Sequence, residues 1–126
     1  MTKLNTRKNK KKKIIKINEG LKLLSDSFRK DFNSIRINTH NTLTHEIAKL
    51  IKSYELIYDN YKILTEAIFK NGSRADIFVP EKKWIFEILH TETEKMAIKK
   101  IKKYPTTCSV FFYKADEVIN NATDTL

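Results

Sequence analysis

From Ile17 the apolar residues fall at Ile17, Leu21, Leu24, Phe28, Phe32 and Ile35. Steps of three and four predict a helix with one buried stripe, weakened in its first turn by Gly20. Residues 36–43 are polar and turn-prone and read as a linker. A second helix is predicted over roughly Thr44 to Ile57, with Ile47, Leu50, Ile51 and Tyr54 on its apolar face. The pattern then changes. Tyr61 to Phe69 is rich in β-formers and ends at Asn71-Gly72, a strong hairpin signal. Arg74 to Val79 is the returning strand, Pro80 stops it, and Lys83 to His90 is a third strand after a short turn. Both are apolar on both faces, as in a sheet covered on two sides. Thr91-Glu-Thr-Glu94 fits a capping box, and Ala97, Ile98, Ile101 and Tyr104 give the helix that follows an apolar stripe ended by Pro105. Lysines crowd its last turn, where the helix dipole favours them. Thr107 to Tyr113 is a fourth strand, with a short polar helix or tail from Ala115. A strand, a helix and then a strand imply a right-handed crossover and a parallel pair.

The 126 residues, 40% of them hydrophobic, suffice for one domain with a modest core. No apolar run approaches bilayer length, and the basic N-terminus has no apolar signal region, so no membrane partner is expected. Cys108 is the lone cysteine. No internal disulfide can form, which points to a reducing, cytoplasmic interior, that of a host cell if the chain is viral. Cys108 reads as a small buried hydrophobe rather than a nucleophile, since no His lies near it in sequence. The net charge of +10 is uneven. Residues 1–16 hold Lys3, Arg7, Lys8, Lys10, Lys11, Lys12, Lys13 and Lys16 with no acid, whereas the other 110 residues are nearly balanced. This divides the chain into a flexible polybasic arm (1–16), a single domain (17–121, core about 44–113) and a tail (122–126). Such an arm binds phosphate backbones without sequence preference, here through Lys8, Lys10, Lys11, Lys12 and Lys13. The alternative is a solubilising or targeting tail.

Asp76 and Glu87 lie inside two adjacent, otherwise apolar strands. A buried carboxylate is costly unless paired or bound to a cation. Two on neighbouring strands suit a hard divalent metal, which prefers oxygen ligands. Asp76 has a competing partner in Arg74, two positions away on the same strand face; Glu87 has none in its strand. Glu66 interrupts the first strand and is a candidate further ligand, and Glu46 lies at the edge of its helix's apolar stripe, where a solvated role competes. His45-Glu46 begins a zinc-protease His-Glu-x-x-His motif, but Lys49 holds the second His position and excludes it. His40, His45 and His90 show no ligand spacing with cysteines, which argues against zinc.

An acid in the second strand, Glu87-x-x in the third and this order of elements resemble the PD-(D/E)xK nuclease superfamily, which includes restriction endonucleases and archaeal Holliday-junction resolvases. The resemblance covers about residues 44–113 and implies an α/β, restriction-endonuclease-like αβββαβ core, with a four-stranded mixed sheet flanked by helices. It implies a nuclease-like domain in which Asp76 and Glu87 bind Mg²⁺ or Mn²⁺ and Glu46 assists. The motif's lysine position is Leu89 here, so the following helix would supply the basic group from Lys95 or Lys99. The implied catalytic set is Glu46, Asp76, Glu87 and Lys95, with Lys99 and Lys100 joining the arm in binding nucleic acid. The implied function is a metal-dependent DNA endonuclease hydrolysing phosphodiester bonds, resolvase-like and capable of pairing as a homodimer. The alternatives are a catalytically inactive DNA-binding protein of the same fold and a regulatory protein with vestigial acids.

Overall fold

The computed structural model describes residues 3–122. In chain order the elements are α1 (Lys3–Leu21), α2 (Leu43–Tyr58), β1 (Leu64–Ile68), β2 (Arg74–Val79), β3 (Trp84–Leu89), α3 (Glu94–Ile101), β4 (Ser109–Lys114) and α4 (Ala115–Ala122). The strands form one mixed sheet in the order β1-β2-β3-β4, antiparallel except for the parallel β3–β4 pair. The architecture is therefore α/β, with a four-stranded mixed sheet and, among the described residues, four helices. No helix among them is long and apolar enough to cross a membrane.

Local chemistry sets the two hairpins. Gly72 sits at φ 86° in the first turn, and its N–H donates to Phe69 O at 2.9 Å. Asn71 Oδ1 accepts from Ser73 N–H at 3.0 Å and closes that turn. The cap of α3 falls on Thr93, two residues after Thr91, with the Thr93 side chain accepting from Met96 N–H. Helix α4 reaches Ala122, the first residue of the expected tail, and residues 123–126 lie outside the described residues.

Strand alternation sends buried side chains to both faces. On one face Phe78 and Ile85 pack with Leu24, Phe28 and Tyr104. On the other, Ile77, Val79 and Phe86 meet Leu56 of α2, while Ile88 meets Ala48 of α2 and Ala115 and Val118 of α4. Cys108 is half-buried beside the first cluster, and burial pushes its thiol up, so it packs rather than reacts.

Three expectations are corrected. The helix predicted over 17–35 ends at Leu21. Leu24 instead forms an isolated bridge with Phe69, and Ser25 N–H donates to Ile68 O at 2.8 Å. Asn33, at φ 62°, donates its N–H to Ile63 O and accepts from Ile63 N–H. Leu24, Phe28 and Phe32 are thus anchors of an irregular strap over the outer edge of β1, which would otherwise be an open template for pairing.

The second correction concerns the arm. Residues 3–16 are helical and continuous with 17–21, because nothing before Gly20 breaks a helix and the C-terminal half is docked. Ile17 is buried, and Lys13 Nζ lies 3.1 Å from Asn60 O and 3.7 Å from Glu81. Gly20 permits the docking, since a Cβ there would stand 2.2 Å from Pro80 O. Gly20→Ala is expected to destabilise the protein by about 1–3 kcal/mol, although alanine is the better helix former. Urea denaturation checks this, and a gain in stability would show that α1 does not rest on Pro80.

The third is the face of α2. Ile47, Leu50 and Tyr54 are exposed and only Ile51 is partly covered, against α4; His45, Glu46, Ala48, Lys49, Ser53 and Leu56 are buried. The helix turns its charged side inward because that side meets the carboxylates of the sheet.

Candidate functional site

The β1–β2 ladder pairs Thr65 with Ile77 and Ala67 with Ala75, so Glu66 stands opposite Asp76. The β2–β3 ladder runs to Ile77–Phe86, and the next position sets Asp76 opposite Glu87. Residues directly opposite in antiparallel strands share a face. Glu66, Asp76 and Glu87 therefore form one cross-strand row of carboxylates. The backbone departs from regularity at this row. Glu66 has φ 51°, a left-handed conformation costly for a residue with a Cβ. Asp76 Oδ2 accepts from Ile88 N–H at 2.8 Å, in place of a continued ladder.

Helix α2 forms the wall beside the row. Thr42 Oγ1 accepts from His45 N–H as N-cap and hydrogen-bonds His90 Nδ1 at 2.6 Å, tying the start of α2 to the end of β3. His45 then bridges two acids, with Nδ1 at 2.7 Å from Glu46 Oε2 and Nε2 at 3.2 Å from Asp76 Oδ2. Only a doubly protonated imidazolium donates to both. Lys49, fully buried, donates to Glu46 Oε1 at 2.6 Å and to Arg36 O at 2.7 Å, and lies 4.0 Å from Glu66. Glu46 also accepts from Asn38 N–H at 2.6 Å. Its oxygens are committed to these partners, so Glu46 braces the site rather than facing a ligand, and it is not solvated.

The charges are strongly differentiated. Burial raises the Asp76 carboxyl, but hydrogen bonds with His45 and Glu87, the His45 charge and the Ile88 N–H outweigh it and hold Asp76 below its ordinary value. Burial, with the Asp76 charge next, drives Glu87 well above its ordinary value. The two carboxyls are thus driven in opposite directions, Asp76 down and Glu87 up, so Glu87 is the member of the pair that keeps a proton more readily. Burial also raises Glu66, with Lys49 and Asn38 only partly opposing. For Glu46, burial is outweighed by Asn38, Lys49 and His45, and its carboxyl lies low. For His45, burial is outweighed by Asp76 and Glu46, and the imidazole lies high.

Of the α3 lysines, Lys100 is the one at the site. It pairs with Glu92 Oε1 at 2.9 Å. Burial lowers its ammonium, but the Glu92 bond and the charges of Glu87, Glu92 and Asp76 outweigh this and raise it. Lys95 and Lys99 are exposed and make no hydrogen bond or ion pair with the carboxylates among the described residues. The reason is helical geometry, since Lys100 follows the inward-facing Ala97 by three positions. Leu89 lies outside the carboxylate cluster, lining a depression with Ala97, Ile98 and Phe112. In α1, Lys8, Lys10, Lys11 and Lys12 are exposed, whereas Lys13 is held by Asn60 and Glu81. Arg74 does not pair with Asp76; with Arg36, Asn38 and Glu66 it lines an open depression of about 310 Å³ beside the row.

No group of three or more His, Cys, Asp or Glu side chains converges as a metal cage among the described residues. The pair Asp76 and Glu87 nevertheless fits a hard cation of the Mg²⁺ kind, which is commonly held by one or two carboxylates with waters and substrate phosphate. Glu87 Oε1 and Glu66 Oε1 are both buried without a hydrogen-bond partner. Buried polar atoms are rarely left so.

His45 and Lys49 escaped the sequence reading as members of the site, and Lys100 was expected to bind nucleic acid rather than to stand by the carboxylates. For the first two a signal existed: His45, Glu46 and Lys49 share one face at helical spacing, and three ionisable groups there are worth weighing against an apolar stripe. Comparison of the chain with protein-family models, with curated proteins and with solved structures found no match, so the reading of this site rests on its own geometry.

Proposed function

We propose that this protein is a metal-dependent endonuclease that hydrolyses phosphodiester bonds in DNA, built on a restriction-endonuclease-like αβββαβ core. The observation that carries the reading is the Asp76–Glu87 pair, with its orphaned buried oxygen, in one row with Glu66. Asp76 and Glu87 would hold a divalent cation, Mg²⁺ or Mn²⁺, which would supply Lewis acidity to acidify water and offset phosphate charge.

The chain's own residues do the rest. Asp76 is kept ionised by His45 and the Ile88 N–H and is ready to act as a ligand. Glu87, whose carboxyl is raised by burial and by the Asp76 charge, would bind the cation as the deprotonated carboxylate. Lys100 takes the part of the missing motif lysine. Its ammonium stays charged beside Glu92, Glu87 and Asp76, so it serves as a hydrogen-bond donor to a phosphoryl oxygen or water, not as a base. Arg36 and Arg74 flank the open depression beside Glu66, where a phosphate backbone would lie, and the exposed lysines of α1, beyond the contacts of Lys13 with Asn60 and Glu81, are a second basic surface. The second reading, a DNA-binding protein without activity, draws on Leu89 at the motif position.

The test separates the lysines. With Mg²⁺ and plasmid or branched DNA, Lys100→Met is expected to lower the cleavage rate about 10²–10³-fold. Lys95→Ala and Lys99→Ala are expected to lower it less than about 10-fold, through DNA affinity alone. Full activity in Lys100→Met, or its loss in Lys95→Ala, would overturn the assignment of Lys100.

A further inference from the structure

We propose that the outer face of α2 is a two-fold interface through which two copies of this chain form a homodimer. The inference does not rest on the nuclease reading. Every exposed residue of α2 is a large hydrophobe: Leu43 (77% exposed), Ile47 (40%), Leu50 (51%), Tyr54 (53%) and Tyr58 (77%). The same helix buries His45, Glu46 and Lys49. Ala48 and Leu56 are buried beside them, so α2 carries apolar residues on both sides, and the inward hydrogen bonds of His45, Glu46 and Lys49 prevent the helix from rolling over to cover its outer ones. The stripe must be covered from outside.

The spacing of the stripe says by what. Steps of four, three, four and four make a narrow seam of the kind that packs against another helix. The seam is also self-complementary. Rotated about a two-fold axis near Leu50, its aliphatic end meets its aromatic end, so that Ile47 of one copy faces Tyr54 of the other and Leu43 faces Tyr58. Leu50 then meets its own copy at the centre. That is the isologous arrangement of a closed dimer. At their exposures the five side chains offer on the order of 600 Å² per copy. Two copies together bury about 1,200 Å², the lower limit of stable specific interfaces. The exposed apolar residues of α1 and α3 fit a second copy less well. Ile14 and Ile15 on α1, and Met96, Ile98 and Ile101 on α3, stand among lysines that repel their own kind.

Sedimentation of the full chain at micromolar concentration is expected to give twice the 14.8 kDa monomer mass. Leu50→Glu, which places two like charges on the axis, is expected to give a monomer with unchanged circular dichroism, because Leu50 supports no intramolecular packing cluster. In a Cys108→Ser background, Leu50→Cys is expected to cross-link to its own copy under mild oxidation. Tyr58→Cys is expected not to, since antiparallel helices set the two positions about 22 Å apart along the axis. A wild type of monomer mass, a Leu50→Glu variant that remains dimeric, or cross-linking at Tyr58→Cys but not at Leu50→Cys would each overturn the proposal.

Discussion

Glu87→Gln is expected to melt above the wild type at pH 8 without divalent cations, and to lose most of that advantage at pH 5. Glu87 is buried among Ile85, Phe86 and Ile88 and faces the Asp76 charge, and both causes raise its carboxyl well above the ordinary 4.5. An acid raised in the folded state binds its proton more tightly there than in the unfolded chain. Its contribution to stability is therefore largest below about pH 4.5 and declines as pH rises toward the folded value. Glutamine keeps the shape of the protonated form and does not titrate. The gap should be about 1–4 kcal/mol at pH 8. His45 is also raised, and its favourable contribution, present below its unfolded value of 6.5, is lost as pH climbs through the folded one. It titrates in both proteins and cancels to first order in the comparison. Saturating Mn²⁺ or Mg²⁺ should close the gap by stabilising the wild type alone. A gap independent of pH, or a variant less stable than the wild type, would contradict the burial account of Glu87.

Lys49→Met is expected to cost about 3–5 kcal/mol, a large share of the stability of a domain this size. Methionine fills the space, but Glu46 and Glu66 lose the ammonium between them, and Arg36 O loses its donor. Both glutamates are buried and cannot recover the loss from water. Adding Glu46→Gln should restore part of the stability, and the coupling in that double-mutant cycle measures the pair directly. Urea denaturation decides. A cost below about 1 kcal/mol would mean that the Lys49 network is not a brace of the site.

What could be read from the sequence was what neighbours in sequence determine. Asn71-Gly72 announces its hairpin because the turn needs the positive φ that Gly72 supplies. The strands around Asp76 and Glu87 stand out because β-formers surround them on both sides, and from there the two acids follow. The strap at 22–42 was illegible because Leu24 and Phe28 answer to partners some forty residues away, while their spacing imitates a helix. Helix α2 was recognised but its face was not. Its exposed hydrophobes looked like the core side, and the ion pairs that draw His45 and Lys49 inward involve Asp76 and Glu66 on distant strands. Lys100 was hidden among five lysines between residues 95 and 103, and only the orientation of α3 against Glu87 sets it apart.

The central claim is that Asp76 and Glu87 form a working metal site, and cleavage of duplex and branched DNA with Mg²⁺ or Mn²⁺ tests it most directly. The account predicts cleavage by the wild type, lowered on the order of 10³-fold or more in Asp76→Asn and Glu87→Gln, with DNA affinity nearly unchanged. A wild type that cuts no DNA with either cation and shows no calorimetric binding of Mg²⁺ or Mn²⁺, or an Asp76→Asn variant that cuts at the wild-type rate, would contradict it.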